Sequence, residues 1–518
     1  FVVAPRHRFS GRDVVAGVSV ALVGIPQALA YADLAGMPGY TGLYALGLPL
    51  IAAALFASSP YLQTGPVATT ALLTYGALVP LAAPGSPEYL ALAALLAVVI
   101  GVTRIGVGLA HAGWLSYLMS RPLLEGFMSG AAILIVASQL PGALGANAPL
   151  GGVLVRAAWT LTHPGAWEVV SLAFAAGTAV VILVGRRVAP RIPGVLVAAG
   201  AGLLYSGLTG YGGPTVGEIP TSLPPLTLDL PWSRLPTLVL PGVVIALIGF
   251  AEAASISRAF ASEDRERWDA NREFLSQGAA NVAAGLTGGF PVGGSFARSS
   301  LNRMAGAGSR WSGLVTGVAV LVFLPFADIL SPLPRAVLAG IVIAAVWSLF
   351  RPRVLVAIWS VSKSQALIAW TTFFLTLALA PHVEHAVLLG VLAAGAVHLL
   401  KELRPAVASR RVGDTLHLEP QGVLWFGSAP VLDDEILAAL SEEPDVDEVV
   451  IHCGGLGRID LTGAYQLAEM LEQLRVTGLK VELAGVPEHA VRVLTGTGAQ
   501  GSGRSGAPRD PEPEAGGA

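Results

Sequence analysis

A glutamate stands at position 252, inside the apolar run 240–257. A carboxylate in mid-span of a membrane helix is unfavourable by about 3 kcal/mol or more, so it is a functional candidate by default. A carboxyl buried beside an anion holds a proton readily, so Glu252 can load a proton together with an anionic substrate. The competing reading is a carboxylate satisfied by helix-end amides. Arg298 lies in the short segment 295–305. There it can raise the local potential and attract anions, or act as structural partner to a carboxylate such as Glu252. Ser295 is placed to cap a helix, and Thr69, Thr70 and Ser299 offer hydroxyls. The backbone adds a further group. The segments 66–79, 271–287 and 295–305 are short or broken by Gly and Pro. A helix that starts halfway through a membrane leaves unpaired N–H groups, with about half a positive charge, facing the protein interior. The amides of Val67, Ala68 and Thr69 are expected to face those of Phe296, Ala297 and Arg298 and to make an anion site. Two structural re-entrant kinks are the alternative.

The elements that must position these groups are membrane spans. The chain has 518 residues, 53% hydrophobic and only 13% charged, with mean hydropathy +0.66. Soluble domains carry about 25% charged residues, which excludes an ordinary soluble enzyme for most of the chain, and disorder needs the opposite composition. With a net charge of −3 there is no basic field for nucleic acid. The single cysteine, Cys453, forbids an intrachain disulfide. His111, His163, His382, His385 and His398 show no ligand pattern, so no metal and no cofactor are expected. No Walker motif, dinucleotide fingerprint or catalytic cysteine is visible, so enzyme activity is not expected. Apolar runs suited to spanning lie at 13–32, 40–57, 88–110, 121–140, 167–185, 192–208, 240–257, 311–330, 334–350, 364–380 and 384–401. With the three short segments they make fourteen.

Two internal matches point to a repeat. VALVGIPQA at 20–28 corresponds to IALIGFAEA at 245–253, which sets Gln27 against Glu252. GPVATTAL after residue 64 corresponds to GSFARSSL after residue 293 at nearly the same offset. Seven segments per half, an odd number, require an inverted repeat. Residues 1–412 hold 25 Lys+Arg and 16 Asp+Glu, whereas 413–500 hold 4 and 15. Basic clusters at Arg6, Arg8 and Arg12, at Arg186, Arg187 and Arg191, at Arg258 to Arg272, and at Lys401 to Arg411 fall on one side. Both termini are therefore expected in the cytoplasm. From the start, FVVAPRHRFSGRD, no cleavable signal peptide is expected.

The stretches GIPQALAYADLAG, GPVATTALL and GGFPVGGSFARSSLN, in this order, resemble the SulP family of anion transporters, the sulfate-permease group that includes prestin-like proteins. The resemblance covers about residues 10–500 and includes a C-terminal module similar to STAS domains. It implies an α-helical polytopic membrane protein with fourteen transmembrane segments in a 7+7 inverted repeat. Segments 1–4 and 8–11 would form a core domain and segments 5–7 and 12–14 a gate domain, in a homodimer, with an elevator-like movement of core against gate. It places the face of Gln27 and Tyr31, four residues apart on one helix, toward the substrate. Pro26 is expected to break that helix locally. It sets Arg298 beside the binding site. Family members with an acid at the Glu252 position resemble proton or sodium symporters. A helix-packing amide is the other reading of Gln27. Glu125, in RPLLEGF, is expected to anchor a gate helix.

The expected organisation is a cytoplasmic segment 1–11, repeats at 12–208 and 240–403 joined by an extracellular linker 209–239, a linker 404–412, a STAS-like α/β domain at 413–498, and a disordered tail 499–518. In the module, strands are expected near 414–418, 422–426, 448–452 and 480–484, and helices near 431–441, 462–475 and 487–494. The usual final strand–helix pair looks shortened, which puts nucleotide binding in doubt. Thr462, in IDLTG, is read first as a helix N-cap and second as a regulatory phosphosite. The expected function is proton-coupled symport of a small carboxylate such as fumarate across the plasma membrane. Bicarbonate or sulfate, and sodium as coupling ion, are the neighbouring options. An uncoupled exchanger or channel, a nucleobase symporter and a membrane sensor are the readings from other classes.

Overall fold

The computed structural model describes residues 9–117, 119–189 and 192–496. Arg6, Arg8, Arg191 and the tail 499–518 lie outside the described residues. The chain divides into two compact units, Phe1–Ala394 and Gly395–Ala518.

The first unit is helical. Its helices are α1 (Gly11–Leu34), α2 (Tyr40–Phe56), α3 (Ala68–Leu78), α4 (Pro87–Leu109), α5 (Arg121–Ala143), α6 (Val153–Thr162), α7 (Val169–Val188) and α8 (Gly194–Thr209). Then follow α9 (Leu235–Asp264), α10 (Ala270–Leu286), α11 (Phe296–Met304), α12 (Trp311–Phe323), α13 (Arg335–Val346), α14 (Pro352–Val361), α15 (Lys363–Ala378) and α16 (Val383–Glu402), the last crossing into the second unit. Strands β1 (Thr64–Gly65) and β2 (Gly293–Gly294) immediately precede the short helices α3 and α11. Among the described residues, seven helical stretches are long and apolar enough to span a membrane alone. At about 1.5 Å per residue, α3 and α11 reach only about half of a 30 Å hydrocarbon layer.

The two halves repeat element for element, α1–α8 against α9–α16. The match includes two short helices, α6 and α14, that the apolar pattern did not announce. The packing repeats too. Gly17 of α1 meets Val315 of α12 just as Gly242 of α9 meets Val99 of α4. Gly126 of α5 meets Ala369 of α15 just as Gly340 of α13 meets Ala175 of α7. Gly101 of α4 meets Gly278 of α10 just as Gly317 of α12 meets Gly47 of α2. Exchanging the halves maps each contact onto its partner, which is internal two-fold symmetry. Without a hydrophobic driving force between helices in lipid, such small residues let the backbones approach. Helices α1–α4 and α9–α12 form the core. Helices α5, α7, α8, α13, α15 and α16 form the gate, and α1 and α3 pack against α5 and α13 between them.

One local expectation changes. Helix α1 runs through Pro26 without interruption, since its neighbours hold it on nearly all sides. Glu125 meets Arg121 and, at 3.5 Å, Arg351 just before α14.

The second unit holds β3 (Ala406–Val412), β4 (Thr415–Leu424), α17 (Ala429–Glu442), β5 (Glu448–His452), β6 (Leu456–Ile459), α18 (Leu461–Val476), β7 (Lys480–Ala484) and α19 (Glu488–Gly496). The main sheet order is β3-β4-β5-β7, with β6 on β4. Strand β3 fills most of the expected linker 404–412. It is antiparallel to β4 through a turn at Gly413, whose φ of 64° suits glycine. The two strands expected at 414–418 and 422–426 are one, β4. Leu416, Leu418, Val449, Ile451, Leu467 and Leu471 form the core between sheet and helices. Cys453 is buried there, and burial pushes its thiol up to about 11. Asp460, not Thr462, caps α18, accepting from Gly463 N at 2.7 Å. Thr462 is exposed in the first turn.

Gly101→Ala is expected to lower the thermal midpoint of the detergent-purified protein. Its Cβ would sit 2.7 Å from Val282 N and 2.8 Å from Gly278 O, and overpacking of this kind is destabilising by about 1–3 kcal/mol. Gly177→Ala, with nothing within 4 Å of the added carbon, is expected to leave the midpoint unchanged or slightly raised. Equal shifts in the two variants would contradict the packing account.

Candidate functional site: an anion site between two half-helices

The site is built on a backbone crossing. Strands β1 and β2 pair antiparallel, with Thr64 opposite Gly294 and Gly65 opposite Gly293. Two residues of pairing do not hold such a crossing alone, and polar side chains fasten it. Gln277 of α10 donates to Thr64 Oγ1 at 2.6 Å. Asn281, one turn on, grips the peptide of Val292, donating to its carbonyl and accepting from its N–H, both at 3.0 Å. Gln63 N donates to Ser299 Oγ at 2.9 Å, and Ser295 N donates to Gln63 O at 3.0 Å. Ser299 is therefore engaged in the frame. Thr70 is too, since its hydroxyl bonds Val67 O. The third hydroxyl proposed for a ligand, that of Thr69, is directed at Glu252.

The two half-helix starts differ. At α3 the cap position is Val67, which has no side-chain acceptor, so the first amides of α3 keep no local partner. At α11, Ser295 Oγ accepts from Arg298 N at 3.4 Å. The expected symmetric set of amides is corrected accordingly: the Arg298 amide is occupied by its own cap. Val67, Ala68 and Thr69 are buried, whereas Phe296 and Ala297 are exposed, with Phe296 stacked toward Phe260.

Arg298 crosses from α11 to the other repeat. It is 1% exposed. Its Nη1 donates to Pro66 O at 2.9 Å, and its Nε and Nη2 have no hydrogen-bond partner. A Cβ on Gly65 would lie 3.1 Å from Arg298 Nη2, and one on Gly24 would lie 3.6 Å from Arg298 Cδ. Those glycines make the channel for the guanidinium. Gln27 lies one turn beyond Gly24 on the same helix face, buried, with Oε1 unpartnered. Tyr31 follows a further turn on, within Coulombic range of both Arg298 and Glu252. Glu252 is half-buried and faces Thr69 and Arg298. The structure thus gathers Gln27, Tyr31, the α3 start, Glu252 and Arg298. Arg298 spends its one formed hydrogen bond on a backbone carbonyl and keeps two N–H groups open. Further along α1 and α3 lies a cavity of about 560 Å³ between core and gate, lined by Leu29, Asp33, Leu72, Tyr75, Arg156 and Arg335 among others and by none of Gln27, Thr69, Glu252 and Arg298. Leu29 and Leu72 are its members nearest in sequence to Gln27 and Thr69.

One buried cation escaped the sequence reading. Arg104 in α4 is fully buried, donates to Ala246 O at 3.0 Å and Val292 O at 3.1 Å, and lies against Gly249. Its signal was available: a lone arginine inside the run 88–110. It clamps the β2 side of the crossing as Arg298 clamps the β1 side. The histidines also assemble more than their spacing promised. His382 and His385 converge on Glu384, because the start of α16 turns them to one side.

Residues 11–372 match the model of the sulfate permease family, and residues 406–503 match that of the STAS domain. The chain is 30% identical over 514 residues to a protein of Mycobacterium tuberculosis named probable sulfate transporter, covering 93% of this chain and 90% of that one. It is 28% identical to the sodium-independent sulfate anion transporter of Bos taurus, covering 93% and 85%. The fold matches the murine Slc26a9 anion transporter in its inward-facing state at TM-score 0.86 and 18% identity, over 95% of this chain and 88% of that one. It matches the transmembrane domain of the cyanobacterial bicarbonate transporter BicA at TM-score 0.63 and 27% identity, over 74% and 96%.

Arg298→Ala is expected to weaken anion affinity about tenfold or more, since hydrogen bonds to a charged group are worth about 1.5–3 kcal/mol and 1.4 kcal/mol is tenfold. Asn281→Ala is expected to lower the thermal midpoint, because it strips two hydrogen bonds from the buried Val292 peptide. Ligand titration and thermal unfolding of the two purified variants separate these effects. Unaltered affinity in Arg298→Ala would reduce that residue to a clamp.

Proposed function

The chain belongs to the sulfate permease family and is an anion transporter, and we propose that it works as a proton-coupled symporter of a small anion, a fumarate-like dicarboxylate, sulfate or bicarbonate. The observation that carries this reading is the placement of Glu252 beside Thr69, Arg298 and the uncapped start of α3. An anion seated on those amides and on the open N–H groups of Arg298 lies next to a carboxylate. With both present, the pair repels. A proton on Glu252 removes the repulsion, so anion and proton load together. Gln27, at the equivalent place in the other repeat, stays neutral and can donate its amide to the anion. Phe296, Ala297 and Ser295 supply the second half-helix start. Sodium in place of the proton, or an uncoupled exchanger, would leave Glu252 without this role.

The names of the relatives favour sulfate as the first anion to test. A fumarate-like dicarboxylate remains the reading that the acid at 252 supports, and bicarbonate is the third. Amide dipoles accept all of them, so the side chains around the α3 start decide. The positive-inside distribution supports a plasma-membrane protein with cytoplasmic termini, and the core–gate division supports an elevator-type movement in a homodimer. The repeat boundaries near 208 and 240 follow from the same division. Thr462, exposed in the first turn of α18, is open to phosphorylation, and a phosphate there would meet the positive end of the helix.

Uptake of labelled sulfate, fumarate and bicarbonate into proteoliposomes, with and without an inward proton gradient at zero membrane potential, tests the proposal. The gradient is expected to stimulate uptake of one of them several-fold. Glu252→Gln is expected to bind that anion but to lose the stimulation. A pH response that persists in Glu252→Gln would rule out its coupling role.

A further inference from the structure

The end of the α15–α16 connection and the first turn of α16 carry three metal-ligating side chains that the anion site does not use. His382 Nδ1 lies 3.3 Å from Glu384 Oε1, and His385 Nδ1 lies 3.7 Å from the same oxygen. One ligand atom from each of the three falls within 4.8 Å of the others. The two imidazole rings are 5.5 Å apart and inclined at 64°, so they converge on the carboxylate rather than stack. Glu384 itself is 3% exposed, and its Oε2 has no hydrogen-bond partner. A buried carboxylate oxygen left unsatisfied is costly, and a cation satisfies it. The histidine side chains are half exposed, at 46% and 50%, so the group is open to solvent on one side.

We propose that His382, Glu384 and His385 form a binding site for a divalent transition-metal cation of the zinc type, with the remaining coordination position open to water. The donor set selects the metal. Two imidazoles and one carboxylate suit zinc, copper or nickel, whereas calcium and magnesium take oxygen ligands. With metal–ligand bonds of about 2.0–2.2 Å in tetrahedral geometry, ligand atoms sit about 3.4 Å apart. The two separations to the carboxylate bracket that value, and the third, between the imidazoles, lies within 4.8 Å, so rotation of the half-exposed histidine side chains completes the site.

The position suggests what occupancy does. Pro381, next to His382, presses its carbonyl against α3: a Cβ on Gly76 would fall 2.2 Å from Pro381 O. The metal-holding turn belongs to the gate, and α3 is the core helix whose other end begins at the anion site. A cation that ties residues 382–385 together stiffens the gate segment resting on that core helix. Occupancy therefore slows anion transport. This consequence rests on the core–gate movement proposed above, whereas the binding does not.

The test uses the full chain, purified in detergent without a polyhistidine tag and titrated with zinc chloride at neutral pH against a competing chelator. The double variant His382→Ala/His385→Ala is expected to bind one equivalent fewer than wild type, and Glu384→Gln to bind that equivalent at least tenfold more weakly. The difference is the readout, because His417 and His452 of the second unit, 3.0 Å apart, offer another pair of imidazoles. Equal equivalents in wild type and double variant would overturn the site. In proteoliposomes, micromolar zinc is expected to slow anion uptake by wild type several-fold and to leave the double variant unaffected, with zinc-free uptake the same in both. Zinc binding that is lost in the double variant, with equal zinc response of uptake in the two proteins, would uphold the site and overturn its link to transport.

Discussion

An amide N–H in the middle of a membrane has no water to bond. That constraint organises the first unit. Starting two helices at mid-depth leaves such groups in a place where only protein or a ligand can satisfy them. The crossing of β1 and β2 is what permits it, since the strands pair with each other where neither helix is available. Gln277 and Asn281 then satisfy what the short pairing leaves over. The glycines at the crossing let side chains and backbone pass within contact distance. Remove any of these and the half-helices lose the reason to begin where they do.

The internal symmetry supplies the frame, and departures from it supply the chemistry. The frame treats Val67 and Ser295 alike, yet only Ser295 can cap a helix. It treats Gln27 and Glu252 alike, yet only Glu252 can carry a proton. In the aligned segments Thr69 stands where Arg298 does, a neutral hydroxyl against a cation. One repeat contributes an open amide terminus and neutral donors. The other contributes the acid, the guanidinium and a capped terminus. A repeat that had kept both halves identical would have placed either two acids or two neutral amides at this position. The buried Arg104 belongs to the frame: both of its hydrogen bonds end on backbone carbonyls.

The second unit obeys ordinary soluble rules. Its sheet buries alternate residues against helices, as Leu416 and Leu418 show, and its single thiol lies inside and unreactive.

Much of this was legible in the amino-acid order, because the membrane makes hydrophobic run length a direct record of span, and because inversion leaves its trace in residue type. The fourteen apolar segments, the equivalence of Gln27 with Glu252, and the short segments at 66–79 and 295–305 needed no coordinates. Strand β3 escaped because AVASRRV is too charged to read as buried, and it is indeed mostly exposed. Helices α6 and α14 escaped because they are short and lie outside the apolar runs. That Ser299 is taken up by Gln63, and where Arg298 reaches, are facts of contact between segments more than 200 residues apart. Packing likewise decides the role of Arg104, whose partners come from α9 and the β2 turn, and the setting of His382, whose neighbour Pro381 rests on α3. Sequence records what each segment can offer. Only packing decides which of those offers is used by a neighbour and which stays open for a ligand.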